Sequence, residues 1–203
     1  MNSAKPRRPT RTSDDRRGDI ARAAVTILQA EGYAALTARK VAAVADISLG
    51  HISYHFRDMD EVLAEAYRLA SSQLRDATTQ GLVASDKEPI AQVRAFLWAG
   101  FGADFLRPQH LRMRIDLWSA ALAHPEIAAA ERDLYQRYRD DLDRLLRQVA
   151  GDDPARLARV GQVSDTIMAT LDGLWLDWMR RQDSQAIENA LGTLMLMLVA
   201  LLR

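Results

Sequence analysis

The chain of 203 residues has no cysteine, only six prolines and ten glycines, and an aromatic content of 6%. Without cysteine it has no disulfide framework, no thiol nucleophile and no thiolate metal site, which is typical of a protein from the reducing cytoplasm. The scarcity of proline and glycine leaves long stretches without turn signals, and this favours helices over the short strands of an all-β chain. We therefore expect an all-α fold with about nine helices.

Long hydrophobic runs are also scarce. The longest covers residues 191–202, whereas a membrane-spanning helix needs about 20 apolar residues, so we interpret it as a buried helix. Residues 1–12 are basic and polar, with no apolar stretch that resembles a signal peptide. We expect a cytoplasmic protein with no membrane partner.

The chain has no net charge, because 27 basic residues offset 27 acidic ones, but the two signs are unevenly placed. Residues 1–57 contain ten Lys and Arg against five Asp and Glu, and residues 58–203 contain 17 against 22. A basic first segment suggests a polyanionic partner for that segment alone.

Motifs for catalysis are missing. The sequence has no paired nucleophile and base, no glycine-rich phosphate loop and no cluster of metal ligands. We therefore expect no enzymatic activity and no cofactor, although a small all-α enzyme and a helical interaction module remain the rival interpretations.

Two helix starts follow each other closely between residues 36 and 52. Thr37 and Ser48 are each placed as an N-cap, and each is flanked by an apolar pair with the spacing of a hydrophobic staple. Only about three residues, 45–47, separate the two helices, and Asp46 tolerates the left-handed conformation that such a turn needs. This pattern predicts a helix-turn-helix.

The second of these helices has two different faces. Ile52 and Phe56 are spaced to face inward, and the outward arc is small and hydrogen-bonding. Such an arc suits a helix inserted into the major groove of DNA, with Tyr54, His55 and the N-cap region on phosphates. A short surface helix in an ordinary bundle is the alternative. The outward residues are Gly50, His51, Ser53, Tyr54 and His55.

Four residues at the start of this helix are candidates for base readout. His51 and Ser53 can hydrogen-bond to base edges, Gly50 permits close approach of the backbone, and Leu49 can contact a thymine methyl group. His51 and a second histidine four residues later also have the spacing of two metal ligands, but no acidic residue or cysteine completes such a site.

These considerations divide the chain into three parts. Residues 1–14 form a flexible basic arm that either contacts DNA or stays in solvent, residues 15–62 form the helix-turn-helix domain, and residues 63–203 form a ligand-binding and dimerisation domain. A fourth helix, from about residue 58 to residue 81, connects the last two parts. The later helices are predicted at 89–106, 109–123, 126–150, 154–181 and 185–202.

At this point a family resemblance is recognisable. The segments Leu36 to Ala42, Ile47 to Gly50 and Tyr54 to Phe56 resemble the DNA-binding head of TetR-family transcriptional regulators. Segments around Trp118, His124 and Trp175, together with Ser53, are similar to those of the BetI-type, choline-responsive repressors. The resemblance implies a homodimeric, ligand-controlled repressor of a palindromic operator.

The resemblance also assigns residues and reveals departures. It adds Thr37 and Arg39 to the DNA-contacting set. Met59 stands where the family commonly has a phosphate-contacting lysine, and the neighbouring Arg57 is the candidate to replace that contact. Asp46 replaces the glycine that is usual in the turn.

An apolar stripe on the helix at 154–181, continued on the last helix, predicts the interface between two subunits. Packing within one subunit is the alternative. The stripe contains Leu157, Val160, Ser164, Ile167, Met168, Leu171, Leu194 and Leu198.

Most of the aromatic side chains lie in the same part of the chain, and two of the tryptophans have an aspartate nearby in sequence. Aromatic faces with a carboxylate suit a quaternary ammonium, so we expect an effector that is either a choline-like cation or an uncharged, mostly apolar molecule. Packing in the core, with no natural ligand, is the third possibility. The candidate residues are Trp98, Phe101, Phe105, Asp116, Trp118, Asp172 and Trp175.

Overall fold

A computed structural model describes residues 13–203, and this part of the chain contains ten α-helices, one short 3-10 turn and no β-strand. The predicted all-α fold is confirmed. The helices are α1 Ser13–Glu31, α2 Ala38–Val44, α3 Leu49–His55, α4 Met59–Ala84, α5 Pro89–Ala99, α6 Pro108–Ala123, α7 Pro125–Ala150, α8 Pro154–Leu157, α9 Val160–Arg181 and α10 Ser184–Leu202, with the 3-10 turn at Tyr33–Ala35.

Two of the predicted helix ranges are wrong. The helix predicted at 89–106 ends at Ala99, because Gly100 and Gly102 are poor helix formers and residues 100–107 make turns. The helix predicted at 154–181 is interrupted after Leu157, so a single helical turn, α8, precedes α9. The remaining predicted helices correspond to α1 to α4, α6, α7 and α10 within a few residues.

The first helix begins at Ser13, so the last two residues of the predicted arm, 13 and 14, belong to α1. Residues 1–12, which contain the rest of that arm, lie outside the described residues. The end of α1 is as expected, since Gly32 takes a φ of 83° and its N–H donates to the carbonyl of Leu28 at 3.1 Å.

One core joins the first four helices to the middle of the chain. Apolar residues of α1 to α4 pack together with Met113 and Leu117 of α6 and with Ile127 of α7, all of them buried. Helix α4 runs without a break from this core into the rest of the molecule. Helices α2 and α3 pack on α1, and α1 and α4 in turn pack against α6 and α7.

A second core lies between α5, α6, α7, α9 and α10 and corrects the predicted dimer stripe. The stripe residues Val160, Ser164, Ile167, Met168, Leu171, Leu194 and Leu198 are all buried inside the single chain, and only Leu157 is exposed. Helix periodicity identified the most apolar face of α9, and that face packs on the chain's own helices. Those seven residues have almost no area left for a partner.

The opposite face of α9 and α10 is the one left uncovered. Leu196 of α10 is 74% exposed, and a Cβ added at Gly161, Gly173 or Gly192 would meet nothing within 4 Å. By length and composition alone, α10 could also cross a membrane, but one such helix is weak support because core helices of soluble proteins meet the same criterion.

Candidate nucleic-acid interface and ligand cavity

The helix-turn-helix forms through the local interactions that the sequence predicts. The Thr37 hydroxyl accepts a hydrogen bond from the backbone N–H of Lys40 at 3.3 Å and so caps α2. Asp46 adopts the left-handed conformation, with a φ of 54°, in the turn between α2 and α3. Asp58 caps α4 by accepting from the N–H of Glu61 at 2.9 Å.

The two faces of α3 are arranged as predicted. Ile52 and Phe56 are buried in the core beneath the helix, whereas Leu49 is 51% exposed and Tyr54 is 82% exposed. The helix therefore presents a polar ridge on a rigid apolar base. The other predicted residues that are exposed are Thr37, Arg39, Ser48, Gly50, His51, Ser53 and Arg57.

Ser48 differs from its predicted role. It precedes α3 with extended backbone angles, but its side chain makes no capping hydrogen bond. Its Oγ lies instead 2.8 Å from Nδ1 of His51. When the hydroxyl donates in this pair, the ring proton of His51 is on Nε2, which then acts as a hydrogen-bond donor.

The residues at the end of α3 are less free than the sequence suggests. His55 is half-buried, and its carbonyl accepts a hydrogen bond from Arg17, whose guanidinium lies 4.1 Å above the Phe56 ring. Arg57 is held by Asp58 and by Glu126 of α7, and the hydrogen bonds to these carboxylates raise its pKa far above the ordinary value. A phosphate contact by Arg57 would have to replace them.

A cavity of about 900 Å³, counted with its open mouth, lies between α4, α6, α7 and α9. Four of the predicted ligand-binding residues line it, namely Phe101, Trp118, Asp172 and Trp175. The cavity walls are mixed, with aromatic rings next to charged groups. The wall residues that the sequence interpretation did not assign to the ligand include Tyr67, Arg114, Glu131, Tyr135 and Tyr138.

Arg114 of α6 is the central charged group in this cavity. Its guanidinium carbon lies 4.9 Å from the ring centre of Trp118 and 4.7 Å from that of Trp175, so one cation faces both indoles. The closest carboxylate oxygen, Oδ1 of Asp172, is 4.0 Å from Nη2 of Arg114. Burial lowers the pKa of Arg114 and raises the pKa of Asp172.

Three of the predicted ligand-binding residues lie outside the cavity. The indole N–H of Trp98 donates to Glu188 of α10 at 2.8 Å, which turns the ring away from the cavity. Phe105 packs behind Trp175, with ring centres 6.5 Å apart. Asp116 accepts a hydrogen bond from the N–H of Tyr33 at 2.8 Å. It therefore contacts the 3-10 turn of the predicted helix-turn-helix domain, residues 15–62, which we call the head.

Asp116 belongs to a set of polar contacts between α6 and the head. Arg112 donates to the carbonyls of Gln29 and Ala30 at 3.0 and 2.8 Å, at the end of α1. Nearby, Nδ1 of His124 lies 2.8 Å from a carboxylate oxygen of Asp60. Because Arg112 and Asp116 face the head and Arg114 and Trp118 face the cavity, opposite sides of α6 contact both functional regions.

Within residues 13–203 no group of three or more His, Cys, Asp or Glu side chains could hold a metal ion. The histidine pair on α3 therefore has no further ligand among these residues.

Two family profiles match this sequence. The profile described as bacterial regulatory proteins, tetR family, matches residues 20–66. The profile described as BetI-type transcriptional repressor, C-terminal, matches residues 89–203, which is more than half of the chain. Together they cover the helix-turn-helix and the cavity wall except for its residues on α4, Tyr67, Ser71, Leu74 and Arg75.

Individual relatives agree with the profiles. The HTH-type transcriptional regulator BetI of Stenotrophomonas maltophilia is 28% identical over 161 residues, which cover 79% of this chain and 80% of that protein. A solved transcriptional regulator from Pseudomonas aeruginosa PAO1 is 25% identical with a TM-score of 0.76, covering 95% and 96% of the two chains. A regulator from Saccharomonospora viridis, solved in complex with choline, shares the fold at 18% identity with a TM-score of 0.69, covering 89% and 94%.

Proposed function

Since the chain belongs to the tetR family of bacterial regulatory proteins and has a BetI-type C-terminal region, we propose that it is a homodimeric repressor that releases a palindromic operator when a small molecule occupies the cavity. The protein is a transcriptional regulator and not an enzyme. In this proposal residues 15–62 form the DNA-binding domain, residues 63–203 bind ligand and partner, and the site of action is the cytoplasm.

The observation that carries the proposal is the exposed polar ridge of α3 on its buried base of Ile52 and Phe56. A helix of this kind enters the major groove with its first turns against base edges. Nε2 of His51, as a donor, matches the O6 and N7 acceptors of guanine, and Ser53 suits either donor or acceptor edges. Leu49 and Gly50 lie at the same end of the helix, beside the base edges.

Phosphate contacts would fix the position of the head without reading sequence. Thr37, Arg39 and Ser48 lie at the N-terminal ends of α2 and α3, where backbone N–H groups and the helix dipole favour anions. Tyr54, which is mostly exposed, is placed to reach the backbone on the far side of the groove, and His55 lies next to it. Arg57 joins this set only after exchanging its carboxylate partners.

The uncovered face of α9 and α10 supports the proposed dimer. Two such faces packed across a twofold axis would give a four-helix interface and cover the exposed apolar area of α10. The two α3 helices must then lie about 34 Å apart to enter successive major grooves. A ligand that changes this spacing relieves repression by about 100- to 1000-fold with about 3 to 4 kcal/mol of preferential binding.

A choline-like cation is one candidate effector. The aromatic and acidic walls of the cavity favour it, and the regulator from Saccharomonospora viridis was solved with choline. A neutral or anionic molecule is the other candidate, because a cation of the protein itself already faces the two indoles.

Duplex binding by variants of α3 tests the proposal. We expect the protein to bind duplex DNA with an affinity that falls with salt, and His51→Ala and Tyr54→Ala to weaken binding by about tenfold or more. Val83→Ala, at an exposed position near the end of α4, is the matched control and should bind like the wild type. A folded protein that binds no duplex at low salt would refute the proposal.

A further inference from the structure

The chemistry of Arg114 indicates which class of effector the cavity accepts. The guanidinium of an arginine has five N–H donors and no acceptor, and a buried donor without a partner costs free energy. Nε of Arg114 is buried and has no hydrogen-bond partner in the structure. Oδ1 of Asp172 is 4.0 Å from the terminal nitrogen Nη2, which is too distant for a hydrogen bond.

The position of Arg114 also determines what else can bind to the indoles. A quaternary ammonium needs an open aromatic face, but the guanidinium lies over both Trp118 and Trp175. A cation would have to displace Arg114 from these rings and from the attraction of Asp172 before it could bind there. An anion needs no such displacement, because it adds an acceptor to the terminal nitrogens of Arg114, whose nearest carboxylate oxygen, on Asp172, lies beyond hydrogen-bond distance at 4.0 Å.

The other ionisable side chains on the cavity wall do not exclude an anionic ligand. Each of the four helices around the cavity contributes ionisable side chains. These side chains include three arginines and three carboxylates, so their formal charges cancel. Glu131 and Asp172 are partly desolvated, and burial raises the pKa of each. The ionisable groups on the walls are Tyr67 and Arg75 of α4, Arg114 of α6, Glu131, Tyr135, Arg137, Tyr138 and Asp141 of α7, and Asp172 of α9.

We propose that the cavity binds a small carboxylate with an apolar tail, with the carboxylate on the terminal nitrogens of Arg114. Nε is enclosed, so the terminal nitrogens are the part of the guanidinium that a ligand in the cavity can reach. Paired N–H groups of arginine bind a carboxylate in bidentate geometry. The tail then lies among Leu74, Phe101 and Met168, which line the apolar part of the wall. This inference rests on the proposed function, which makes the cavity the effector site.

Three probes with the same phenylethyl tail and an anionic, a neutral or a cationic head group test the inference. We would titrate the purified protein with 3-phenylpropionate, 3-phenylpropionamide and phenethyltrimethylammonium, and follow binding by calorimetry and by tryptophan fluorescence, to which Trp118 and Trp175 of the cavity wall contribute. We expect the carboxylate to bind about tenfold to a hundredfold more tightly than the amide, because the ion pair with Arg114 is lost in the amide. Tighter binding of the ammonium, equal binding of carboxylate and amide, or no binding of the carboxylate would overturn the inference.

Variants of arginines in the same part of the chain identify the residue responsible. Arg114→Gln should lose the preference for the carboxylate over the amide, and Arg114→Lys should keep only part of it, because lysine retains the charge but not the planar fork. Arg107→Gln removes an exposed arginine just before α6 and should bind all three probes like the wild type. If Arg114→Gln keeps the full preference, Arg114 is not the counter-ion.

Probe binding and duplex binding are separate measurements, so the two proposals can fail separately. A protein that binds duplex DNA but prefers the ammonium contradicts the carboxylate inference and leaves the proposed function intact. A protein that binds the carboxylate through Arg114 but never binds DNA contradicts the proposed function.

Discussion

Thr37 and Ser48 precede successive helices, but only Thr37 uses its hydroxyl as a cap. In Thr37→Ala the N–H of Lys40 loses its partner, so the free energy of unfolding should fall by about 1 kcal/mol. Ser48→Ala removes no capping bond and should cost clearly less stability. It should instead weaken duplex binding, because His51 loses the hydroxyl that orients its ring.

Urea denaturation of both variants and duplex titration at one salt concentration measure these effects. Equal losses of stability in the two variants would mean that Ser48 caps α3 in solution.

His110 gives the protein a pH-dependent stability. Its ring is buried beside Phe105 and Trp175, and burial together with the charge of Arg114 lowers its pKa from 6.5 to about 4. Above pH 6.5 the histidine is neutral in both the folded and the unfolded chain. Between pH 6.5 and pH 4 only the unfolded chain takes up the proton. The free energy of unfolding therefore decreases as the pH is lowered, by up to about 1.4 kcal/mol per pH unit.

Thermal unfolding across this range measures the effect. His110→Gln should lose stability less steeply than the wild type between pH 6.5 and pH 4. Parallel curves for wild type and His110→Gln would show that His110 does not titrate in this way.

Single residues show where sequence reasoning succeeds. Thr37, Asp46 and Asp58 were predictable because a cap or a turn depends on neighbours in the chain. Arg114 was missed because arginine is normally exposed, and its place between two indoles depends on α9. The available signal was its spacing of four residues from Trp118, which places the two side chains on one helix face.

At the scale of elements, α6 connects the cavity with the DNA-binding head. One side carries Arg114 and Trp118 in the cavity wall, and the other carries Arg112 and Asp116 in contact with α1 and the 3-10 turn. In the proposed function, a ligand that shifts α6 would move Arg112 and Asp116, which hold α1 and the 3-10 turn. Asp116 was assigned to the ligand from its proximity to Trp118 in sequence, but residues two positions apart on a helix lie on nearly opposite sides.

The contact between α6 and the 3-10 turn can be measured at one amide. In Asp116→Ala the N–H of Tyr33 loses its acceptor, so its hydrogen exchange should become about tenfold faster. Ser119→Ala, also on α6 but exposed, is the control and should leave that amide unchanged. Unchanged protection of Tyr33 in Asp116→Ala would show that Asp116 does not hold the turn.

Helix boundaries were predictable where a cap, a proline or a glycine marks them. Pro89, Pro108 and Pro125 each begin a helix as expected. The end of α5 was placed seven residues too late because Phe101 and Phe105 continue the apolar period beyond Ala99. Those two rings pack on Trp175, and this tertiary contact, not helix periodicity, explains their spacing.

At the scale of the whole molecule, the account requires a dimer through the uncovered face of α9 and α10. Leu196→Arg places a charge in the centre of that face and should convert the dimer into monomers at micromolar concentration. Leu122→Arg is the matched control, since Leu122 is 92% exposed on α6, away from that face. Sedimentation equilibrium distinguishes the two. A dimer that persists in Leu196→Arg would exclude this face as the interface.

The uneven charge of the chain agrees with this division of roles. Residues 1–57, with an excess of five positive charges, contain α3. Residues 58–203, with an excess of five negative charges, contain the cavity and the uncovered face of α9 and α10. An excess of five positive charges gives only weak non-specific affinity for DNA. We therefore expect tight binding to require two heads on a correctly spaced site.

Selection from a pool of randomised duplex DNA tests the central claim most directly. The wild-type protein should enrich an inverted repeat whose two half-sites lie about 34 Å apart, and His51→Ala should enrich it poorly or relax one position in each half-site. Enrichment of no sequence by the folded wild-type protein, or of a single half-site without symmetry, would contradict the account of a dimer that reads DNA through α3.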